Sequence, residues 1–322
     1  MAGRRSNSSI PGVGLVRRIG YLFGLLRLYL ARGDGEEDFS GLRAAIDEYR
    51  TMAETYGTTP LERARVLEIG FGARPLRLMA LYAMGIDVTG VDIDKPIVRG
   101  TPCEFVAIWR RNGFERALKS LVRFWINDRR ERRELLRVFG GTSGAGDLPV
   151  NRMIVASAGD PAFWQALDGK FDLIVSEDVF EHIPRAELET VIAQMHAALA
   201  PGGIALIRPM IYSGISGGHH LEWYPHMVDR DVERPTEPWE HLRRNRRPAD
   251  TYLNGMLRRD YRELFGRHFD IRLEKELQPG LGRRLLTPEI RAELADYPEE
   301  ELLSNNVLFV LTSKPPEAVP QN

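Results

Sequence analysis

A doubly wound α/β fold with a mostly parallel sheet is predicted by three features of this 322-residue chain. The first is an apolar run, Val66-Leu67-Glu68-Ile69, closed by Gly70-Phe71-Gly72. The second is a helix-forming stretch over 76–84 that leads into β-branched residues over 88–93. The third is repetition: further apolar runs at 152–156, 171–176 and 204–207 alternate with helix-forming stretches, as strand-helix-strand units require.

The first unit also carries the chemistry. Gly70 and Gly72 let the backbone turn sharply and approach a ligand, and the helix start behind them offers N–H groups without intrahelical partners. Asp92 follows the glycines at about the 20-residue spacing that places a carboxylate on ribose hydroxyls in dinucleotide folds. A dinucleotide fingerprint needs a third glycine where Pro75 stands, so a nicotinamide cofactor is the weaker reading.

Residues 1–60 precede this unit and read as a helical N-terminal cap: one helix over 14–31, a Gly/Asp/Glu-rich break over 32–38, and a second helix from about Ser40 to near Gly57. The segment 10–31 is apolar, but Arg17, Arg18 and Arg27 interrupt it. Its uninterrupted part is too short to span a bilayer, and no small-residue cleavage site follows. An amphipathic helix packed on the domain is the plainer reading, and peripheral membrane contact through 10–31 the sharper one.

Composition narrows the partners. A formal net charge of −1 gives no global reason to expect nucleic acid, whose binding rests on clustered cations. The lone Cys103 excludes an intrachain disulfide framework and fits a reducing, cytoplasmic setting. Charge is unevenly placed, however. Residues 101–146 form a basic helical insertion, read either as a solvated face laced with i,i+4 pairs or as a wall that attracts an anionic acceptor. The glycine-rich stretch 140–147 lacks the Gly-Lys-Ser/Thr ending of a phosphate-binding loop and is expected to be a flexible connection.

Taken in order, the glycine loop with Glu68, then Asp92, Asp160, the run Phe171-Asp172-Leu173-Ile174-Val175-Ser176 with Glu177-Asp178-Val179-Phe180-Glu181-His182-Ile183-Pro184, and Pro201-Gly202-Gly203 before the run 204–209 resemble the class I S-adenosylmethionine-dependent methyltransferases of small-molecule type. The resemblance covers about 61–313, interrupted at about 101–146 and 212–250. It implies a Rossmann-like, seven-stranded sheet within a core over 61–322, closed by strands at 268–277 and 306–312. S-adenosylmethionine is the cofactor it implies, contacted by Glu68, Gly70, Phe71, Gly72, Asp92, Ile93, Asp160 and Glu177. Arg74 stands where the motif would carry its last glycine.

The acceptor chemistry rests on the second insertion. Methyl transfer depends on aligning acceptor and methyl carbon, and an acceptor hydroxyl needs a base, for which histidine suits. Ser213-Gly214-Ile215-Ser216-Gly217-Gly218-His219-His220-Leu221-Glu222-Trp223-Tyr224-Pro225-His226 follows the fifth strand, so it stands over the carboxyl edge of the sheet, where such folds bind ligands. The glycines are expected to make it adaptable. His219 or His220 is the expected base, Glu222 its orienting partner, and His182 a rival. No metal site is assigned, although Glu177 and Asp178 with a histidine form an alternative. The reading is an enzyme that methylates a hydroxyl of a small molecule or glycoconjugate, a sugar-like acceptor being favoured by the aromatic, His and Arg content of the insertions. Another natural-product or lipid acceptor, a NAD-type oxidoreductase and a non-catalytic binding module are the alternatives.

Overall fold

A computed structural model describes residues 38–140, 150–249 and 251–314. The expected helix over 14–31, its membrane contact, and most of the glycine-rich connection 140–147 lie outside these residues. In chain order the elements are α1 (Ser40–Tyr56), β1 (Arg65–Ile69), α2 (Leu76–Ala83), β2 (Asp87–Asp92), α3 (Pro102–Asn112), α4 (Phe114–Arg123), a π-helical turn (Phe124–Asp128) and α5 (Arg129–Phe139). There follow β3 (Met153–Val155), α6 (Pro161–Gln165), β4 (Phe171–Glu177), α7 (Arg185–Ala198) and β5 (Leu199–Arg208). The last part holds α8 (Glu240–Arg243), α9 (Arg258–Gly266), β6 (Phe269–Glu276), α10 (Pro288–Glu293), α11 (Glu299–Leu302) and β7 (Val307–Ser313). The strands order as β3-β2-β1-β4-β5-β7-β6, a mixed seven-stranded sheet in an α/β chain, as the sequence predicts.

The chain divides into two compact units, 1–47 with 71–156, and 48–70 with 157–322. In the first, β2 and β3 pair parallel, Gly90 opposite Met153 and Asp92 opposite Val155. The insertion helices close on a small apolar core of Ile97, Ile108, Ala117 and Phe124. Thr101 starts α3 with a reciprocal cap, its hydroxyl accepting from the Glu104 N–H while the Glu104 carboxylate takes the Thr101 N–H. Gly100 sits at φ 71° against the Phe124 ring, where a β-carbon would lie 2.1 Å from it, so glycine is required on both counts.

In the second unit β4 is central. It pairs parallel with β1, Val66 opposite Leu173, and with β5, Leu173 opposite Ile204. Phe171, Leu173, Ile174 and Val175 are almost wholly buried. A strand covered on both faces reads as a continuous apolar run rather than an alternation. β7 lies antiparallel to β5 and β6. The order of strands reverses between β1 and β4, and ligands of open α/β sheets bind at the carboxyl ends of the strands beside that reversal. Ser176 Oγ donates to the Ile69 carbonyl at 2.9 Å, joining the two strand ends there.

Candidate active site

The glycine loop leaves β1 with Gly70 at φ 87° and Gly72 at φ 68°, both in the left-handed region that glycine enters freely. A β-carbon on Gly70 would strike Val179, 2.1 Å away, whereas one on Gly72 would meet nothing nearer than 4.0 Å. The first glycine therefore serves close packing and the second leaves open space. The Gly72 N–H donates to Asp92 Oδ2 at 2.7 Å, and the Asp94 N–H to Asp92 Oδ1 at 2.6 Å. Burial pushes the Asp92 carboxyl up from its usual range, with these two N–H groups opposing. Ile93 beside it is 62 % exposed, while Phe71 is buried.

Arg74, in the place of the motif's last glycine, turns to the insertion and pairs with Glu131, with Asp128 3.7 Å from its Nε. Arg123 donates to the Ala73 carbonyl and reaches Asp128 at 3.1 Å. Arg132, 4 % exposed, donates to the Val98 carbonyl at 2.8 Å and to that of Ile97 at 2.5 Å. Arg116 and Asn112 both hold Asp94. These basic groups are engaged in holding their own unit together.

In the second unit Glu68 is buried in β1, at 2 % exposure. Glu177, at the end of β4, accepts from Tyr49 Oη and pairs with Arg208 at 3.3 Å, and Arg208 also holds Glu48 at 2.6 Å. Asp160 starts α6 by accepting the Ala162 N–H at 2.9 Å. That leaves its other carboxylate oxygen for a further donor.

The segment after β5 differs from what its composition suggests. A β-carbon on Gly214 would lie 2.3 Å from the Ser304 carbonyl, on Gly217 2.2 Å from that of Tyr212, and on Gly218 2.6 Å from the His241 ring. The glycines permit close packing rather than adaptability. His219 follows at φ 55°, and its Nε2 lies 3.8 Å from Glu181 Oε1. Its ring meets the His182 ring edge to face, centroids 4.9 Å apart. Burial, with His182 and His220 adding to it, lowers the His219 pKa to about 4, so the ring is neutral near pH 7. Burial also holds His241 at about 4; its Nε2 contacts the Tyr212 carbonyl at 2.8 Å.

Glu222 does not join this group. It accepts from Thr236 Oγ1 at 2.6 Å, and Thr236 in turn accepts the Trp223 indole N–H at 2.8 Å. The turn after His220 carries Glu222 toward the Trp223 core, and the carboxylate near His219 is instead that of Glu181. Trp223 belongs to an apolar cluster with Ile215, Val228 and Trp239, so its aromatic character serves packing. Beside it an open cleft of about 550 Å³ is lined by Leu221, Glu222, Tyr224, His226, Met227, Val232, Glu233 and Pro235.

Sequence reasoning missed Glu181 and His241. Glu181 stood in plain view before His182, but the pair read as support for the following helix. Its burial is the deciding property, and nothing local announces it. The Asn254 side-chain amide clamps the turn that buries it, donating to the Phe180 and Ile183 carbonyls at 2.8 and 3.0 Å.

The profile of a family described as "Methyltransferase domain" matches residues 42–267, most of the chain. The chain belongs to the class I S-adenosylmethionine-dependent methyltransferases. No curated protein matches this methyltransferase. Solved structures similar to it include the PH0226 protein of Pyrococcus horikoshii OT3, at 15 % identity and TM-score 0.41 over 84 % of this chain and 91 % of that one. Another is the 1,6-didemethyltoxoflavin-N1-methyltransferase of Burkholderia thailandensis, at 15 % and 0.41 over 96 % and 94 %. A third is the magnesium protoporphyrin IX methyltransferase of Synechocystis PCC 6803, at 15 % and 0.40 over 92 % and 96 %.

S-adenosylmethionine is the cofactor of this methyltransferase family. The residues fit it: Gly72 leaves open space beside its backbone, a partly buried carboxylate follows at Asp92, and an exposed apolar side chain stands next to that at Ile93. Among the described residues no helix is long and apolar enough to cross a membrane.

Proposed function

We propose that this methyltransferase methylates a hydroxyl group of a small, sugar-like acceptor, in the cytoplasm, and that His220 removes the proton. The observation that carries the reading is the group of neutral, buried imidazoles packed after β5, where an acceptor meets the carboxyl edge of the sheet. His220 Nε2 is buried and makes no hydrogen bond, so its lone pair or proton is not already committed. His219, with a pKa near 4, holds a proton too weakly to be its resting place near pH 7. An exposed thiol at Cys103 suits a reducing compartment.

The bound cofactor supplies a methyl group on a positively charged sulfur. In this reading Asp92 binds the ribose hydroxyls, Ile93 covers one face of the adenine, and Asp160 takes the adenine amino group with its remaining oxygen. Gly70, Phe71 and Gly72 shape the turn around the methionine end, while Glu68 and Glu177 support it from β1 and β4. The cleft walled by Tyr224 and His226 offers the aromatic and polar surface that a sugar ring stacks on and bonds to. N-methylation would need no general base of this kind when the acceptor amine is already neutral.

The test is turnover on candidate sugar and phenol acceptors by His220→Ala. We expect kcat to fall by about a hundredfold or more with cofactor affinity retained, since a general base contributes on that order. Near-normal turnover on the true acceptor would overturn the assignment.

A further inference from the structure

The polar group around Glu181 is incomplete. Its carboxylate is buried, and neither oxygen has a hydrogen-bond partner among the described residues. Its own N–H and that of Met210 lie near enough to favour the charged form without making hydrogen bonds to it. Burial opposes ionisation most strongly, and the charge of Asp178 adds to it. A buried carboxyl without partners is costly to hold charged and leaves its donor and acceptors unused if neutral.

Its neighbours are lone-pair donors. His219 Nε2 is likewise buried without a hydrogen bond, 3.8 Å from Glu181 Oε1. His182 uses Nδ1 on the Tyr252 carbonyl at 3.0 Å, which makes Nδ1 the protonated nitrogen and leaves the Nε2 lone pair outward. One ligand atom from each of Glu181, His182 and His219 lies within 4.8 Å of the others. Two ligands at about 2.0–2.1 Å from a tetrahedral zinc ion stand about 3.3–3.5 Å apart, so closure needs movements of an ångström or so.

We propose that Glu181, His182 and His219 bind a divalent transition-metal cation of the zinc type. Two imidazoles and one carboxylate suit that class of ion better than magnesium or calcium, which prefer all-oxygen sites. Three protein ligands leave a coordination position open, the arrangement of catalytic rather than structural zinc. The Tyr252 carbonyl on His182 fixes that ring's tautomer, as outer partners of metal-bound histidines do. Val179, two residues before Glu181, packs against Gly70 at the end of β1, so the cation sits within a turn of the cofactor loop.

The cation's part in the reaction rests on the O-methylation reading. The acceptor hydroxyl oxygen takes the open position, which acidifies it, and its proton passes to His220. The oxygen–carbon bond then forms as the carbon–sulfur bond breaks, the electron pair staying on sulfur. His219 thus serves as a ligand through Nε2, the atom that faces Glu181.

The full-length chain, dialysed against chelator, is titrated with cobalt(II) and followed by its visible absorption, with zinc(II) calorimetry alongside. We expect one cobalt per chain with a tetrahedral-type spectrum. Glu181→Gln and His219→Ala should each weaken binding at least about tenfold, while His226→Ala binds as the parent does. Thermal melts of each variant show that it is folded. Absence of cobalt binding by the parent, or binding unchanged in both Glu181→Gln and His219→Ala, overturns the proposal. Failure of the hydroxyl reading would show separately, as undiminished turnover by His220→Ala while cobalt binding is unaffected.

Discussion

In the helices α3 to α5, the charged side chains find their opposites nearby: Arg74 on Glu131, Arg123 on Asp128, Arg116 on Asp94, and Arg132 on two backbone carbonyls. Where the segment after β5 meets the turn after β4, the buried polar atoms of Glu181, His219 and His220 have no such closure among the described residues. The first region is rich in charge and pairs most of it, although Asn112 Oδ1 and Asn127 Nδ2 are buried there without a hydrogen bond. The second is modest in charge and stays open. Charge density therefore goes with a scaffold in one place, and the proposed site lies where a carboxylate and two imidazoles together lack partners, because a buried polar group without a partner is costly to maintain.

The comparison breaks most visibly in acid. Burial holds His241 at about 4 against an ordinary value of 6.5, so the unfolded chain binds the extra proton first. Stability from this group is full above about 6.5 and is lost as pH falls toward 4, by about 3 kcal/mol. Denaturant melts at pH 7 and pH 4.5 should show that loss, and His241→Gln should show much less of it. Equal acid sensitivity in the variant would mean that the buried histidines are not the weak point.

The next effect is on the scaffold. Arg132→Met strips two buried carbonyls of charged donors and should lower unfolding stability by about 2 kcal/mol, with kcat of the folded protein unchanged. A fall in kcat without a fall in stability would instead make this arginine part of the site. The smallest effect concerns salt. Since Arg116, Arg123 and Arg137 of the insertion are engaged in ion pairs and Arg132 in backbone contacts, acceptor kcat/KM should change by less than about twofold between about 50 and about 300 mM salt. A steep decline would restore the reading of the insertion as a wall for an anionic acceptor.

Much of the fold was legible because it is written in local pattern. The apolar run of β4 announces a strand covered on both faces, and Gly70, Gly72 and Asp92 keep the spacing that a strand-helix-strand unit imposes. The candidate site was legible only in part. His182, His219 and His220 were visible as chemistry, but Glu181 meets His219 across 38 positions of chain, and no spacing rule spans such a path. Glu222 shows the reverse error: three residues from His219, it is turned away by a single 3₁₀ turn over Leu221–Trp223. Arg74 looked like a defect in the glycine motif, and its meaning lay in Glu131, 57 positions on. Charges declare themselves in sequence, whereas their partners and burial are settled by the tertiary path.

The segment 211–219 has no helix or strand, yet its amides are engaged one after another. The Ile211 N–H donates to the Asn305 carbonyl, Gly214 to Ile211, Ser216 to the Asn305 side chain, Gly217 to Gly214 and His219 to Ser216. With β-carbons excluded by backbone at Gly214 and Gly217 and by the His241 ring at Gly218, this stretch has nowhere to swing. Its amides should exchange with deuterium on the slow schedule of global opening, like those of a core strand, and not on that of a surface loop. An entering acceptor would then find the histidines at a fixed address, and the motion that admits and releases it must belong to another part of the chain.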